Sequence, residues 1–410
     1  MKKIIYIIKL CSLGVLIGVL GGLIGVCFAH LLSFVTNLRQ TAPWLILLLP
    51  VGAIITTVLY RIFDMQDYGG TNEIILCIAN QKPIRFVAAP LIFISTAITH
   101  LFGGSAGREG AALQLGGAGA AALCPILRLQ DDNRYVAVVS GMCAVFAGLF
   151  GTPLTATFFV LEFRAKPRIS ALAFMPCLIS AVVAAKLSAA LGVTAETIPL
   201  NAATAFSFST VIKIILLALS LSILGHIMCY IFRYARQLSK RLVSNALLRS
   251  VLFSIAVVTM TAIVGDMRYN GSGMSMAITA IEGNAHWFDF LLKLIFTAIT
   301  LAAGLKGGEI VPTFCIGATF GCVFGSVLGL NVSFAAALGL VGLFCCATNS
   351  PISAIFLGVE LLGLSALPYY VLICLLLWPL SAKNGLFKNR FFQPVSILRK
   401  PLNFCMNKSW

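Results

Sequence analysis

His100–Ala120 reads H-L-F-G-G-S-A-G-R-E-G-A-A-L-Q-L-G-G-A-G-A, and the rest of the chain is organised around it. Arg108 and Glu109 stand here among seven glycines, inside an otherwise apolar sequence. Glycine favours backbone breaks and close approach. An ionisable side chain at membrane depth is costly and by default marks a functional site. The stretch therefore reads as a break in a membrane helix with a carboxylate inside it.

Charged residues fill only 10% of the 410 positions and the mean hydropathy is +1.00, whereas soluble domains carry about 25% charge. The chain thus reads as an integral membrane protein. Apolar runs such as Ile4–Ala29, Trp44–Leu59, Ser170–Leu191, Val211–Phe232 and Ala366–Leu380 approach the ~20 residues of a spanning helix. Leu113–Leu127 and Pro351–Leu364 have the length of half-spanning or tilted helices. The net charge of +16 is a topology signal rather than a nucleic-acid surface. Lys2-Lys3, Arg164–Arg168, Arg233–Arg249 and Lys383–Lys408 lie between apolar segments, and the positive-inside rule puts them, with both termini, in the cytoplasm. Basic ends of this kind favour anionic membrane lipid. The N-terminal apolar run outlasts a signal peptide's h-region and reads as the first membrane helix. Thirteen scattered cysteines without a C-x-x-C read as buried, reduced hydrophobes. No metal-ligand spacing or nucleotide fingerprint occurs, so neither metal nor cofactor is expected.

Landmarks recur in order along the two halves. Tyr68-Gly69-Gly70-Thr71 returns as Tyr269-Asn270-Gly271-Ser272, and Thr96-Ala97-Ile98-Thr99 returns letter for letter from Thr297, both at an offset of 201. Gly107-x-Glu109 returns as Gly307-x-Glu309 at 200, and Phe146, Pro153, Phe158 and Glu162 return as Phe344, Pro351, Phe356 and Glu360 at 198. Four matches in register point to a duplicated architecture. The basic loop after Glu162 has an uncharged counterpart after Glu360, so the second copy is expected upside down in the membrane, the inverted-repeat plan of secondary transporters. The boundary falls near Val193–Phe206. The expected division is residues 1–200, an inverted second repeat at 201–390 and a short cytoplasmic tail at 391–410.

Glycine-rich breaks at Gly69-Gly70, Gly103–Gly110, Gly271–Gly273 and Gly304–Gly308 flank apolar segments. Each can leave a helix N-terminus exposed inside the protein, where free N–H groups and the helix dipole favour anions. Gly104-Ser105-Ala106-Gly107-Arg108-Glu109-Gly110 resembles the G-R/K-E-G motif of the CLC chloride channels and transporters. Gly307-Gly308-Glu309-Ile310-Val311-Pro312, followed by Gly317-Ala318, is similar to the family's G-G-x-F-x-P and G-A. Gly70-Thr71-Asn72-Glu73-Ile74 lies where the family has G-S-G-I-P. The resemblance spans nearly the whole chain. It implies an all-α polytopic fold of about eighteen tilted and broken helices and a homodimer with one anion pathway per subunit; with so short a stretch after the last apolar segment, the cytoplasmic CBS pair of some relatives is not expected.

Carried over position by position, Glu109 resembles the gating glutamate, whose carboxylate competes with the transported anion and swings away when protonated. Thr71 matches the hydroxyl that holds the central anion. The N–H groups of Glu309 and Ile310 complete that site, and those of Arg108 and Gly110 serve the outer one. Phe387 falls where the family has an anion-binding tyrosine, with Tyr369 and Tyr370 upstream as alternatives. Phe163 replaces an inner proton glutamate, and Ile310 the phenylalanine of G-G-x-F-x-P. These departures resemble the fluoride-exporting branch, although Val311 and the hydroxyl of Thr71 do not. The expected function is chloride transport by a channel or proton-coupled antiporter in the plasma membrane, with fluoride/proton antiport as the alternative. An inverted-repeat carrier of another family is the next reading.

The remaining polar residues have bland readings beside functional ones. Glu162 and Glu360 end helices, where capping competes with a proton role. Glu309 either hydrogen-bonds backbone or acts directly. His100 reads as structural or as a proton relay, and Lys306 as an anion contact or an interfacial charge. Gly103-Gly104-Ser105-Ala106-Gly107 fits G-x-S-x-G, but the nucleophile elbow needs a strand–turn–helix. An intramembrane serine hydrolase is accordingly the last reading, and no enzyme activity is expected.

Overall fold

Without water at membrane depth a spanning chain must pair its own backbone, and an apolar chain of this kind does so as helices. The structure is a computed structural model that describes residues 2–80, 82–163, 167–195, 197–198, 200, 207–381 and 385–387. It holds sixteen α-helices and no strand among them, against the about eighteen helices implied by resemblance. The first eight are α1 (Lys2–Thr41), α2 (Leu49–Ile62), α3 (Thr71–Ala79), α4 (Ala88–Leu101), α5 (Glu109–Ile126), α6 (Asp131–Phe150), α7 (Pro153–Glu162) and α8 (Pro167–Ala190). The second eight are α9 (Phe208–Leu242), α10 (Ala246–Val264), α11 (Met274–Ile281), α12 (Asp289–Ala302), α13 (Ile310–Val327), α14 (Val332–Thr348), α15 (Pro351–Leu357) and α16 (Leu367–Leu377). The apolar N-terminal stretch is one 40-residue helix, and α9 runs unbroken for 35 residues. The basic tail at 391–410, the Arg164–Lys166 loop and Lys383 fall outside the described residues.

Among the described residues, seven helical segments are long and apolar enough to cross a membrane, and several others are shorter, as broken helices are. α1 and α9 expose large apolar side chains such as Phe34, Ile223 and Tyr230, as lipid-facing helices do. α14, by contrast, is apolar and buried from Phe334 to Thr348, which makes it a central post.

The two sets of eight correspond in order. α4 and α12, then α5 and α13, have equal lengths and begin and end 201 positions apart. The drift to 198 is absorbed in one helix, because α14 has 17 residues where α6 has 20. Packing repeats with the sequence. Gly116 of α5 meets Gly141 of α6, and their mates Gly317 and Gly339 bring α13 against α14, each pair too close to admit a side chain.

Mates that touch one another mark a local twofold between the repeats. Gly107 and Gly308 pair as an isolated antiparallel bridge, each N–H donating to the other's carbonyl at 2.8 and 2.6 Å. Phe158 and Phe356 stack with centroids 4.6 Å apart and planes 1° from parallel. This pairing corrects one sequence match. The backbone register is 201, so the mate of Glu109 is Ile310, and Glu309 is the mate of Arg108. Arg108 and Glu309 occupy the N-cap positions of α5 and α13.

Glu162 and Glu360 are exchanged caps. Glu162 accepts from the N–H groups of Ile352 and Ser353 at 3.0 and 3.1 Å and from Ser353 Oγ at 2.5 Å. Glu360 accepts from the N–H groups of Leu154 and Thr155, both at 2.8 Å, and from Thr155 Oγ1 at 2.7 Å. α7 and α15 each begin on a proline, which has no N–H, and neither has a capping side chain of its own. Each glutamate thus satisfies the next two orphan N–H groups of the other repeat's helix.

Candidate functional site

All four glycine breaks become loops that deliver a helix start: α3 after Gly70, α5 after Gly107, α11 after Gly273 and α13 after Gly308. None of the four is capped by its own N-cap side chain. The first long break is built from the end of α4, where Gly103 at φ +79° ends the helix and the N–H of Gly104 returns to the carbonyl of Thr99 at 2.8 Å. Its mate Gly304 ends α12 with φ +86°. The α10–α11 loop is tied to the same break, since the amide of Asn270 donates to the carbonyl of Gly103 at 2.8 Å and the N–H of Gly271 to that of Gly104 at 3.0 Å.

Glu109 lies fully buried where these ends converge. One carboxylate oxygen accepts from the N–H of Arg108 at 3.0 Å, and the other from the N–H of Val311 at 3.2 Å. Val311 is the second residue of α13, so a carboxylate of the first repeat sits on the open end of a helix from the second. It occupies the place that backbone N–H groups and a helix dipole offer to an anion. Beside it is a very small apolar cavity bounded by Phe146, Phe150, Met274 and Phe314. The Arg108 guanidinium lies over the ring of Phe150, 5.2 Å from its centroid.

On the other side of Glu109 opens a cavity of about 370 Å³, called the vestibule below, whose lining includes Thr71, Gly110, Glu309 and Phe387. Four of the sequence-predicted residues therefore share one space, and Ile310 is buried just behind it as the first residue of α13. The Thr71 hydroxyl donates to the carbonyl of Gly110 at 3.1 Å. Phe387 packs on Phe163 and Phe159, with centroids 5.1 and 5.8 Å away, and brings no hydroxyl. Tyr369 and Tyr370 do not supply one either: neither lines the vestibule, and both are buried, Tyr369 against Phe334.

The vestibule is strongly basic, with Arg236, Lys240, Arg249 and Lys306 facing Asp67 and Glu309. Arg236 forms an ion pair with Glu309, and Lys306 lies 4.2 Å from the centroid of the Tyr60 ring. Clefts lined by one sign of charge concentrate counter-ions. Sequence reasoning missed Gln114, whose amide donates to the carbonyl of Gly110 at 3.0 Å and reaches Thr71 Oγ1 at 3.5 Å. A lone glutamine one turn after Gly110 in an apolar run was the available signal. His100 is buried, its carbonyl taking a hydrogen bond from Arg39 at 2.9 Å. Ser105 is fully buried, with its hydroxyl between Thr297 Oγ1 and Lys293 Nζ at 3.0 and 2.9 Å, which makes it part of the break's scaffold.

A family model described as voltage gated chloride channel matches residues 51–377. A chloride/fluoride channel protein of Pseudomonas syringae pv. tomato is 32% identical over 391 residues, covering 93% of this chain and 86% of that protein. The H(+)/Cl(−) exchange transporter ClcA of Citrobacter koseri is 22% identical over 374 residues, covering 84% of this chain and 79% of its own. Among solved structures, a CLC-type fluoride/proton antiporter superposes with a TM-score of 0.88 at 32% identity, over 93% of this chain and 97% of that one. A slow cyanobacterial Cl−/H+ antiporter shares the fold, with a TM-score of 0.74 at 18% identity over 92% and 93% of the two chains.

Proposed function

The chain belongs to the voltage-gated chloride channel family, and on that premise we propose that it exchanges a halide for protons across the membrane through the site that Glu109 fills. The observation that carries this reading is the carboxylate of Glu109 seated on the N–H groups of Arg108 and Val311. Hydrogen bonds to a charged group contribute about 1.5–3 kcal/mol each. Only an occupant that keeps a negative charge at those N–H groups can displace the carboxylate without losing that energy. A proton arriving on Glu109 removes its charge and weakens both bonds. The neutral side chain then leaves, and a halide takes the N–H groups. When the halide moves on, Glu109 gives up its proton and returns. The carboxylate and the halide thus alternate in one place, and each visit of the carboxylate moves a proton.

On the vestibule side, Thr71, Gly110 and the N–H groups of Glu309 and Ile310 form the next anion site, with Phe387 closing it without a hydroxyl. Phe163 carries no proton, so protons reach Glu109 from the vestibule through water. Fluoride stands first as the halide, because the solved structure at 32% identity is named for it, and the relative at 32% identity is named for chloride and fluoride together. Chloride is the second reading, favoured by the hydroxyl of Thr71 on the vestibule. The basic run Arg233–Arg249 makes the vestibule face the cytoplasm. With it go cytoplasmic termini, a plasma-membrane location, two halves at 1–200 and 201–390 with a tail after them, and a homodimer with one pathway per subunit.

The test is paired fluoride and chloride flux in liposomes, with and without a proton gradient, for the wild type and Glu109→Gln. The expected result is proton-coupled movement of one halide in the wild type and loss of proton movement in Glu109→Gln, with halide flux altered. Proton coupling that survives in Glu109→Gln refutes the assignment.

A further inference from the structure

Behind the break sits a buried cation that the gate has not used. Lys293 of α12 exposes none of its side chain. Its Nζ donates to Ser105 Oγ at 2.9 Å, to the carbonyl of Tyr269 at 3.0 Å and to that of Gly271 at 2.8 Å. All three ammonium protons go to neutral acceptors, and among the described residues no carboxylate lies within ion-pair distance of it. An unpaired buried charge is among the most costly groups that a membrane interior can hold. The fold does not demand it, because the mate of Lys293 at the 201 register is Ile92.

The surroundings are fitted to the lysine. A Cβ on Gly273, the N-cap of α11, would meet Lys293 Cε at 2.6 Å, so a glycine there admits the aliphatic stem. Ser105, which receives the ammonium, is also fixed through its N–H to Thr300 Oγ1 at 3.0 Å, and it lies four residues before Glu109 in the same break. α11 begins at Met274, which borders the small cavity beside Glu109. Lys293 therefore adds its charge to the positive ends of α11 and α13 instead of offsetting them.

We propose that Lys293 is the fixed counter-charge of the transport site, setting how tightly the site holds one negative charge, be it the Glu109 carboxylate or a halide. The inference rests on the reading of Glu109 as the gate. With Glu109 charged, its carboxylate faces the cations gathered at the break: Lys293, Arg108, and Arg39 on the carbonyl of His100. With Glu109 protonated, those cations face a neutral side chain, and a halide takes its place. A lysine that merely pinned the loop would affect folding and maximal rate but not halide affinity.

The experiment measures fluoride and chloride uptake by liposomes over a range of concentrations, so that half-saturation and maximal rate are read separately. Lys293→Met is expected to raise the half-saturating concentration of the transported halide about tenfold or more. Cys315→Asp is the companion variant. Cys315 is fully buried, and its Cβ approaches the same point on Gly273 as the Lys293 ammonium does. A carboxylate there neutralises the counter-charge with the lysine in place, and the same loss of affinity is expected. It carries the test if Lys293→Met does not fold. An unchanged half-saturation in either folded variant overturns the proposal. A wild type that moves neither halide overturns the gate reading instead.

Discussion

Replacing Glu162 by alanine removes the cap of α15 and tells a structural carboxylate from a proton carrier. In the wild type the N–H groups of Ile352 and Ser353 both end on Glu162, and Pro351 before them has no N–H to satisfy. The Ser353 hydroxyl has a fallback in the carbonyl of Ser350 at 3.2 Å, but the two N–H groups have none. A buried donor left unpaired costs about 1–3 kcal/mol, so Glu162→Ala is expected to cost about 4 kcal/mol. At the ~2 °C per kcal/mol of a large domain, the unfolding midpoint drops by ~8 °C. Glu360→Ala leaves Leu154 and Thr155 in the same position and should cost the same within about 1 kcal/mol. The assay is thermal unfolding of purified protein in detergent, with proton-coupled flux measured on Glu162→Gln in parallel. If Glu162→Gln keeps wild-type stability while losing proton coupling, the capping argument is wrong and Glu162 belongs to the proton path.

Three other outcomes follow from the geometry. A Cβ on Gly107 would land on the Glu109 carboxylate, so Gly107→Ala is expected to push the gate off its N–H groups and raise halide flux while lowering the number of protons moved per halide. A liposome assay with wild-type coupling in that variant contradicts the plug geometry. Phe387→Tyr adds a hydroxyl to the vestibule, and one hydrogen bond to a halide should lower the half-saturating chloride concentration about five- to tenfold, read from concentration-dependent flux. Outside the membrane helices, the hydrogen bond from Arg268 holds the Asp266 carboxyl below its ordinary range. Its contribution to stability is therefore present at neutral pH and lost as pH falls through and below the carboxylate range. Asp266 is 43% exposed, so Asp266→Asn should cost less than about 1 kcal/mol at pH 7 and nothing in strong acid, as measured by unfolding at both pH values.

Much of this was legible because the chain departs from apolar monotony at so few places. Glycines at 70, 103, 273 and 304 named the breaks, since the φ > 0 positions that start or end the helices there need them. The matched pair Glu162 and Glu360 was visible as sequence, although its meaning was not: a cap donated across the molecule depends on which helix start lies opposite. The register at the gate was misread because Gly107-x-Glu109 and Gly307-x-Glu309 share letters at 200, while the backbone repeats at 201. Letters follow local chemistry, and the bridge between Gly107 and Gly308 follows the fold. Arg236 was hidden inside a basic run read as lying between apolar segments, whereas α9 continues to Leu242 and carries it to Glu309. Lys293 did leave a signal, a single lysine amid Phe288–Ala303, but topology arguments look at clusters and pass over single charges.

The bridge between Gly107 and Gly308 also bears on what kind of machine this is. Many carriers of inverted design expose their cargo to each side by tilting one half of the body against the other. Here the halves are stitched together by two short backbone hydrogen bonds beside the carboxylate of Glu109. A seam there resists any hinge through the centre. On the proposed role of Glu109, the work of facing first one compartment and then the other falls to something small enough to move while the seam stays shut, a single side chain on a stationary frame.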